Sequence, residues 1–401
     1  DKDWRTRLAL HSKTGVVLDK IKNWDLIVKH DAAFAGLAFN EITFSIEIQR
    51  DLPWRTVHYG GPNFTAADRA ELGHYMERQY GLRPAMQMLD GIILARAYRN
   101  RFHPIKDYLD GLEWDGVPRL EECLPGVVPT DYTRMVARKC LTAAVARAYE
   151  PGCKWDHTLV LQGTQSIGKT FWIDKMARGY MVPLGRIDNK DTLLALHRSW
   201  IALADEGYSL RKADNDVMKE FLTRTEDVFR IPYEKETNVH KRGFVIWSTT
   251  NDETFLRNEQ GNRRYLPVQC TERVDFSLLT DYYIDQVWAE AKHHYKAGER
   301  LFLDEEETEV STEQQEKFTE EDVATGVIVE YLETLVPEDW EQMSPESRQV
   351  WRQDRADGLV PPGTERIDRV CSVQLWVEAF GRRLGDQHRA DLLQLTGAMK
   401  R

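Results

Sequence analysis

The sequence has few cysteines, and their arrangement excludes a disulfide-stabilised protein. Its 401 residues include five cysteines, at Cys123, Cys140, Cys153, Cys270 and Cys371. Their number is odd, their spacing is wide and no CxxC pair occurs, so we expect free thiols in a reducing cytoplasm. A zinc site would need paired ligands near His157 or near His293 and His294, which this cysteine spacing does not provide.

Long apolar runs are also missing. No stretch approaches the roughly 20 apolar residues that a membrane-spanning helix needs, so we expect no membrane partner. No signal peptide is present, and because the sequence starts at Asp1 rather than at Met, we expect a fragment whose upstream domain is missing. A chain of 401 residues with 42% hydrophobic and 30% charged residues predicts a globular protein of two or three domains.

The sequence lacks an excess of positive charge. Its net charge of −11 argues against a nucleic-acid partner, but residues 301–325 alone carry −9 and leave −2 for the rest. A motor that contacts DNA through one short loop per subunit does not need a basic total. The acidic segment itself is typical of a solvated linker or an exposed helix face.

The strongest positive signal is a phosphate-binding loop. The pattern G-x-x-x-x-G-K-[ST] is matched by Gly163, Thr164, Gln165, Ser166, Ile167, Gly168, Lys169 and Thr170. A buried strand is predicted at 158–161 and a helix after Thr170, which is the context such a loop requires. There, backbone N–H groups bind phosphate oxygens, Lys169 reaches the β- and γ-phosphates, and the Thr170 hydroxyl binds Mg²⁺. The flanking elements favour this loop over an ordinary glycine-rich turn.

Polar residues follow two further buried strands. Asp205 and Glu206 end the strand predicted at 200–204, where Asp205 can hold Mg²⁺ through water and Glu206 can polarise an attacking water. Asn251 follows the strand at 243–248 and can orient that water, because its amide both donates and accepts. A helix-capping acidic pair and a simple turn are the structural alternatives.

An arginine pair comes next in the chain. Arg263 or Arg264 can stabilise the charge of a transferring phosphoryl group, and a neighbouring subunit can supply this residue. The alternative is a surface pair without a catalytic role. Nothing in the sequence decides between the two arginines.

Residues 230–242 predict a hairpin with a polar tip that could project into a central pore. Phosphates of single-stranded DNA could then be contacted by Lys235, His240, Lys241 and Arg242, and Tyr233 could stack on a base. The composition fits an exposed hairpin of mixed charge equally well.

The coarse pattern predicts four regions. These are a mainly helical N-terminal domain at 1–150 (an oligomerisation collar or a DNA-side region), a P-loop α/β core at 151–300, an acidic linker at 301–325, and a helical C-terminal domain at 326–401. Within them we predict helices at 68–76, 84–98, 131–149, 191–196, 214–225, 323–335, 371–384 and 387–399, and a strand at 41–48.

With these motifs in order, the chain resembles the virulence-associated protein E (VapE) family. These are ATPases of phages, prophages and pathogenicity islands, related to superfamily 3 helicases of the AAA+ class. The resemblance rests on GTQSIGKT, IALADEG, RIPYEKETNVHKRGFVIWSTTN and FLRNEQGNRRYLPV, and on HPIKDYLDGLEWDGVPRL and RVCSVQLWVEAFG outside the core.

The resemblance implies a AAA+-like core, a hexameric ring, ATP hydrolysis at subunit interfaces and movement on single-stranded DNA in a bacterial cell, with a primase as a further partner. It assigns Lys169 and Thr170 to ATP and Mg²⁺, Asp205 and Glu206 to the metal and the water, and Asn251 to the sensor position. Relatives often carry glycine where Ser166 stands, so a positive φ there would strain this chain. The end at Arg401 leaves open whether a winged-helix module is complete.

Two other functions remain open on the sequence. An ATP-dependent initiator or loader would bind DNA as a ring without unwinding it. A P-loop kinase for small molecules would explain the loop and Asp205, but it leaves the arginine pair and the helical N-terminal region unexplained.

Overall fold

The computed structural model describes residues 4–187, 189–205, 215–231, 236–256, 262–319 and 323–383, together with Leu395. These residues form two compact units. The first contains the described residues up to Phe255 and those at 262–318, and the second contains Leu256 and the described residues from Thr319 onward. Among all the described residues, no helix has both the length and the apolar content to cross a membrane.

Helices dominate the first hundred residues and pack around a core of their own. They are α1 (Ile21–His30), α2 (Ala32–Ala35), α3 (Val57–Gly60), α4 (Ala66–Tyr80) and α5 (Met86–Arg99). Ile27, Phe34, Leu72 and Leu89 are fully buried in that core. The side chains of Thr65 and Asp68 form a reciprocal capping box that starts α4.

The strand expected at 41–48 is instead the turn and second strand of a hairpin. Strands β1 (Leu37–Asn40) and β2 (Ser45–Ile48) pair antiparallel. The side chain of Asn40 accepts hydrogen bonds from the backbone N–H groups of Ile42 at 2.9 Å and Thr43 at 3.1 Å. This local bonding favours a turn over an extended strand at 41–44.

A parallel sheet forms the centre of the first unit. The remaining strands are β3 (Thr158–Gln162), β4 (Met181–Pro183), β5 (Ile201–Ala204), β6 (Glu226–Phe229), β7 (Asn238–Lys241), β8 (Val245–Thr250) and β9 (Tyr265–Gln269). Five of them are parallel neighbours in the order β4-β5-β8-β3-β9. The predicted α/β class is confirmed. The pair β6 and β7 forms a separate antiparallel hairpin.

Helices cover this sheet and share its apolar core. They are α6 (Pro104–Asp110), α7 (Asp131–Tyr149), α8 (Lys169–Met176), α9 (Lys190–His197), α10 (Asn215–Thr223) and α11 (Asp281–Lys296). Trp172, Trp200, Trp247 and Trp288 are fully buried there, in the same cluster as the residues of α7. The expected boundary near residue 150 therefore does not separate two cores, because α6 and α7 pack with the sheet.

Most of the acidic segment, for which a linker or an exposed helix face was expected, forms helix α12 (Glu305–Lys317) in the first unit. Asp304 and Glu307 form its capping box, and acidic residues in a first helical turn are favoured by the helix dipole. Gln315 is buried, and its Nε2 donates to the carbonyl of Tyr265 at 2.8 Å. The Lys139 ammonium of α7 lies 3.3 Å from Glu307. These contacts bind the segment to the sheet.

The second unit contains helices joined by irregular segments in the residues that are described. It contains α13 (Val323–Glu333), α14 (Pro345–Ala356) and α15 (Ser372–Gln374), which continues as a π-helical turn at Leu375–Ala379. Ile328, Tyr331, Leu375, Trp376 and Leu395 form its core. The helix expected at 371–384 thus ends early, and that at 387–399 lies outside the described residues except for Leu395. The winged helix stays a prediction.

Candidate phosphate-binding site

The loop at 163–170 connects β3 to α8 at the carboxyl edge of the sheet, as the motif predicts. All five residues of β3 are buried, and α8 begins at Lys169. A Cβ atom on Gly163 would lie 2.5 Å from the carbonyl oxygen of Cys270, and Gly168 has a φ of 109°. Both positions therefore need glycine, one for lack of space and the other for its backbone angle.

Ser166 has the positive φ that the sequence comparison led us to expect. Its φ is 66°, in the left-handed region that non-glycine residues rarely occupy. The residue is exposed, so no burial of its side chain offsets the cost. The loop therefore keeps its conformation at the expense of strain at Ser166.

Lys169 lies inside the loop with all three of its ammonium donors engaged. Nζ donates to the carbonyl oxygens of Gly163 at 2.7 Å and Thr164 at 2.9 Å, and to Oδ1 of Asn251 at 3.0 Å. The residue is 6% exposed. Burial lowers the pKa of Lys169, and the nearby Asp205 carboxylate acts in the opposite direction. The geometry keeps a cation under the loop, where a phosphate would need it.

Asp205 and Asn251 join the loop because their strands are neighbours. Ala204 of β5 pairs with Ser248 of β8, so the residues after both strands emerge at the same edge. Asp205 is exposed and its Oδ1 accepts a hydrogen bond from the hydroxyl of Thr249 at 2.5 Å. The structure thus brings together the predicted Lys169, Asp205 and Asn251.

These residues line one pocket of about 290 Å³, close to the lower end of known ligand pockets. Its lining residues are Gln165, Ser166, Gly168, Lys169, Thr170, Phe171, Asp205, Thr249, Thr250 and Asn251. Thr170 is exposed at the start of α8. A cation, a hydroxyl, a carboxylate and the first N–H groups of a helix therefore face one space, a combination that suits a phosphate group with a hard divalent cation.

Thr249 is a site residue that sequence reasoning missed. It lies on β8, and its hydroxyl donates a hydrogen bond to the carboxylate of Asp205. The side chain is 3% exposed. The signal that would have found it is the adjacency of β5 and β8, which chain order does not reveal.

The arginine pair lies at the opposite edge of the sheet. Arg263 and Arg264 directly precede β9, whose first residue pairs with Thr158 at the start of β3. The carbonyl of Arg263 accepts from Nδ1 of His157 at 3.1 Å. The length of β3 from Thr158 to Gln162 separates this edge from the loop, which is a distance of about 13 Å along the strand. The Arg263 side chain is exposed, whereas that of Arg264 is half-buried.

The predicted DNA-contacting hairpin exists, but its strands differ from the expected ones. The pairing of β6 with β7 aligns Phe229 with Asn238 and Asp227 with His240. Lys241 is exposed on β7. His240 is half-buried, with its ring stacked on Phe229 at 4.2 Å between centroids.

Arg242 corrects the sequence-based expectation of a DNA contact. It is 2% exposed, and Nε and Nη2 donate to the two carboxylate oxygens of Asp227 at 2.7 and 2.8 Å. Its guanidinium also lies 4.2 Å from the ring centre of Phe221. A guanidinium with these partners stabilises the base of the hairpin and does not face solvent.

Three of the proposed functional residues cannot be placed. Glu206, Tyr233 and Lys235 lie outside the described residues. Among the residues that are described, no group of three or more His, Cys, Asp and Glu side chains could hold a metal ion.

The family model of the virulence-associated protein E-like domain matches residues 109–320. The chain belongs to the virulence-associated protein E-like family. The VapE-like region extends beyond the core predicted at 151–300 on both sides. It includes α7 and α12, which pack on the sheet, together with the whole pocket at its carboxyl edge.

Two solved structures are similar to this VapE-like chain over most of their length, and both are apo structures of the NrS-1 C-terminal region. The first, described as residues 305–718, has 13% sequence identity and a TM-score of 0.42, with 81% of this chain and 80% of that chain covered. The second has 12% identity and a TM-score of 0.43, with 81% and 79% covered. No curated protein matches the VapE-like chain.

Proposed function

We propose that this VapE-like chain is an ATP-hydrolysing DNA helicase that serves the replication of a phage or another mobile element. The observation that carries the proposal is the convergence of Lys169, Asp205 and Asn251 on the loop at 163–170. Each of them ends or follows a different parallel strand, which is where α/β sheets bind ligands. Family membership supports the phage or prophage setting.

ATP is the proposed substrate and Mg²⁺ the proposed metal. The loop's N–H groups would bind phosphate oxygens, and Lys169 would exchange its carbonyl acceptors for them. The exposed Thr170 hydroxyl and Asp205 fit a cation that keeps most of its other ligands as waters and phosphates. When bound, Mg²⁺ would neutralise charge on the phosphates.

Attack by water on the γ-phosphate needs a base and a group that orients the water. We assign these roles to Glu206 and Asn251. Because Oδ1 of Asn251 accepts from Lys169, its Nδ2 group has two donors to offer a phosphate or a water. Loss of the γ-phosphate would thus change the hydrogen bonds of Asn251. Because Asn251 directly follows β8, this change would reach that strand.

A ring of identical subunits, which we take to be a hexamer, would complete the site. The arginines lie about 13 Å along β3 from the loop of their own chain, beyond the reach of an arginine side chain. They could act on a neighbour's nucleotide in a head-to-tail assembly. Single-stranded DNA is the proposed track, contacted by the hairpin of β6 and β7, and a primase is a proposed partner.

The test is Lys169→Ala, measured by ATP hydrolysis with and without single-stranded DNA and by strand separation on a forked duplex. We expect hydrolysis and unwinding to fall by at least roughly 100-fold, because the charge that pairs with the phosphates is lost. Lys154→Ala is the matched control, since this lysine is exposed and forms an ion pair with Asp156 away from the pocket lining.

Each other outcome identifies a different function. Unwinding that persists in Lys169→Ala would refute the helicase. A wild-type ring that hydrolyses ATP and binds DNA without separating strands would indicate the initiator or loader. The burial of Arg242 gives that alternative some support, because the hairpin then offers fewer cations to DNA than expected. A monomer that phosphorylates a metabolite would indicate a kinase.

A further inference from the structure

Two exposed phenylalanine rings lie beside the phosphate-binding pocket. Phe171 lines the pocket directly after Thr170 and is 40% exposed, and Phe276 is 41% exposed. Their ring centroids are 4.7 Å apart, with the planes at 78°. We propose that these two rings, the aromatic platform, bind the base of the nucleotide whose phosphates occupy the loop. This inference rests on the proposed function and extends it to the nucleoside.

Contacts with the loop itself position Phe276. The backbone N–H of Val274 donates to the carbonyl of Ile167 at 2.9 Å. A Cβ atom on Gly168 would lie only 3.0 Å from Cε1 of Phe276, so the absence of a side chain at Gly168 lets the ring lie against the loop. The spacing between the platform and the phosphate site therefore depends on the loop's own backbone.

The turn that carries Phe276 is also held internally. Oδ1 of Asp275 accepts hydrogen bonds from the backbone N–H of Ser277 at 2.9 Å and from its hydroxyl at 2.6 Å. The backbone N–H of Leu279 donates to the carbonyl of Phe276 at 3.3 Å. A ring on an ordered turn loses little conformational freedom on binding, and this favours a preformed binding surface.

The chemistry of the platform predicts which bases it accepts. Phenyl rings offer faces for stacking but no hydrogen-bond donor or acceptor, so they select by stacking area rather than by the edges of the base. The Lys175 ammonium lies 5.5 Å from the centre of the Phe171 ring and covers one of its faces. The platform should prefer purines to pyrimidines and discriminate weakly between adenine and guanine.

The test compares a ligand that has a base with one that has none. Isothermal titration calorimetry would measure the Kd of the non-hydrolysed ATP analogue AMP-PNP with Mg²⁺, and that of inorganic tripolyphosphate with Mg²⁺. In Phe171→Leu and Phe276→Leu, which keep an apolar contact with the loop, we expect the Kd of AMP-PNP to rise about tenfold. The Kd of tripolyphosphate should change less than about twofold, because the loop is intact.

Phe302→Leu is the control, since Phe302 is 58% exposed and does not line the pocket. In competition with AMP-PNP, GTP should displace the analogue nearly as well as ATP, and CTP less well. Equal wild-type affinities for AMP-PNP and tripolyphosphate would overturn the platform and leave the ATPase proposal standing. Equal weakening of both ligands in the variants would also overturn it. If neither ligand binds the wild type, the proposed function itself is wrong.

Discussion

At the residue scale, the loop combines backbone strain at Ser166 with a fully hydrogen-bonded ammonium group at Lys169. The three N–H donors of the Lys169 ammonium group each have an acceptor, and two of these acceptors are backbone carbonyls of its own loop. Ser166 contributes the strain, with a φ of 66° that costs a non-glycine residue about 1–2 kcal/mol.

Substitutions at Ser166 test whether this conformation is needed. Ser166→Gly should leave the free energy of unfolding within about 1 kcal/mol, because relief of strain is offset by a more flexible unfolded chain. Ser166→Val should raise the Kd for ATP about tenfold or more, because a β-branched residue avoids positive φ. Nucleotide titration and urea denaturation measure both effects. Ser166→Ala separates loss of the hydroxyl from the backbone effect, and ATP affinity unchanged in Ser166→Val would show that the angle is dispensable.

The sequence predicted the positions of residues that belong to a contiguous motif, but not those of residues whose contacts come from distant parts of the chain. The loop residues from Gly163 to Thr170 are contiguous, so their pattern alone placed them correctly. Arg242 was expected at the surface because it ends a polar stretch, but its partner Asp227 lies on the other strand of the hairpin. A buried ion pair between strands has no signature in composition.

At the scale of elements, the hairpin of β6 and β7 is anchored by a buried charged cluster. Asp227 accepts both bonds from Arg242 and a third from Nε2 of His197 on α9, at 3.0 Å. Burial raises the pKa of Asp227, but hydrogen bonds from His197 and Arg242 outweigh it and hold the pKa well below its usual range. The cluster therefore connects the hairpin to α9 and to Phe221 of α10.

Removal of Arg242 should unfold the base of the hairpin. Arg242→Ala leaves the Asp227 carboxylate buried with one partner fewer, which is expected to cost about 3–5 kcal/mol of unfolding free energy. Because the folded pKa of Asp227 is depressed, its stabilising effect is present above the unfolded pKa of about 3.9 and is lost as the pH falls through the folded value. Without Arg242 the pKa of Asp227 is less depressed, so the free energy of unfolding of the variant should fall less than that of the wild type as the pH falls below about 4.

Urea denaturation at pH 7 and at pH 3 measures both effects. The matched control is Arg224→Ala, because this arginine is half-exposed and pairs with Glu220 four residues earlier in the chain. An exposed pair of this kind is worth at most about 1 kcal/mol. Equal effects of the two substitutions would contradict the anchoring role of Arg242.

The elements that the sequence predicted best are those with strong local signals. The bounds of α7 at Asp131–Tyr149 were predicted, since helical periodicity marks them. The sequence left a linker and an exposed helix face open for α12, because its stabilising contacts with Lys139 and Tyr265 come from distant parts of the chain. The β1–β2 turn was missed because Ile42 and Phe44 alternate as they would in a strand.

For the whole molecule, strand order decides which residues can meet. In the chain β5 precedes β8, but in the sheet β8 lies between β3 and β5. That insertion places Asn251 and Thr249 between the loop and Asp205, an arrangement that periodicity and motif spacing did not predict. The same parallel order puts the arginines at the amino edge, away from the pocket of their own chain.

The separation of Arg263 from the pocket of its own chain implies that it acts on a neighbour's nucleotide, which a mixing experiment can test. Arg263→Ala should keep ATP affinity and lower hydrolysis about 1,000-fold, because an arginine that stabilises the transition state is lost. An equal mixture with Lys169→Ala, itself inactive, should regain activity, since about a quarter of head-to-tail interfaces would combine an intact Lys169 with a neighbour's intact Arg263. Steady-state hydrolysis against mixing ratio measures this. Arg264→Ala is the control, because its half-buried side chain is less able to reach a neighbour. A mixture that stays inactive would show that Arg263 does not act across an interface.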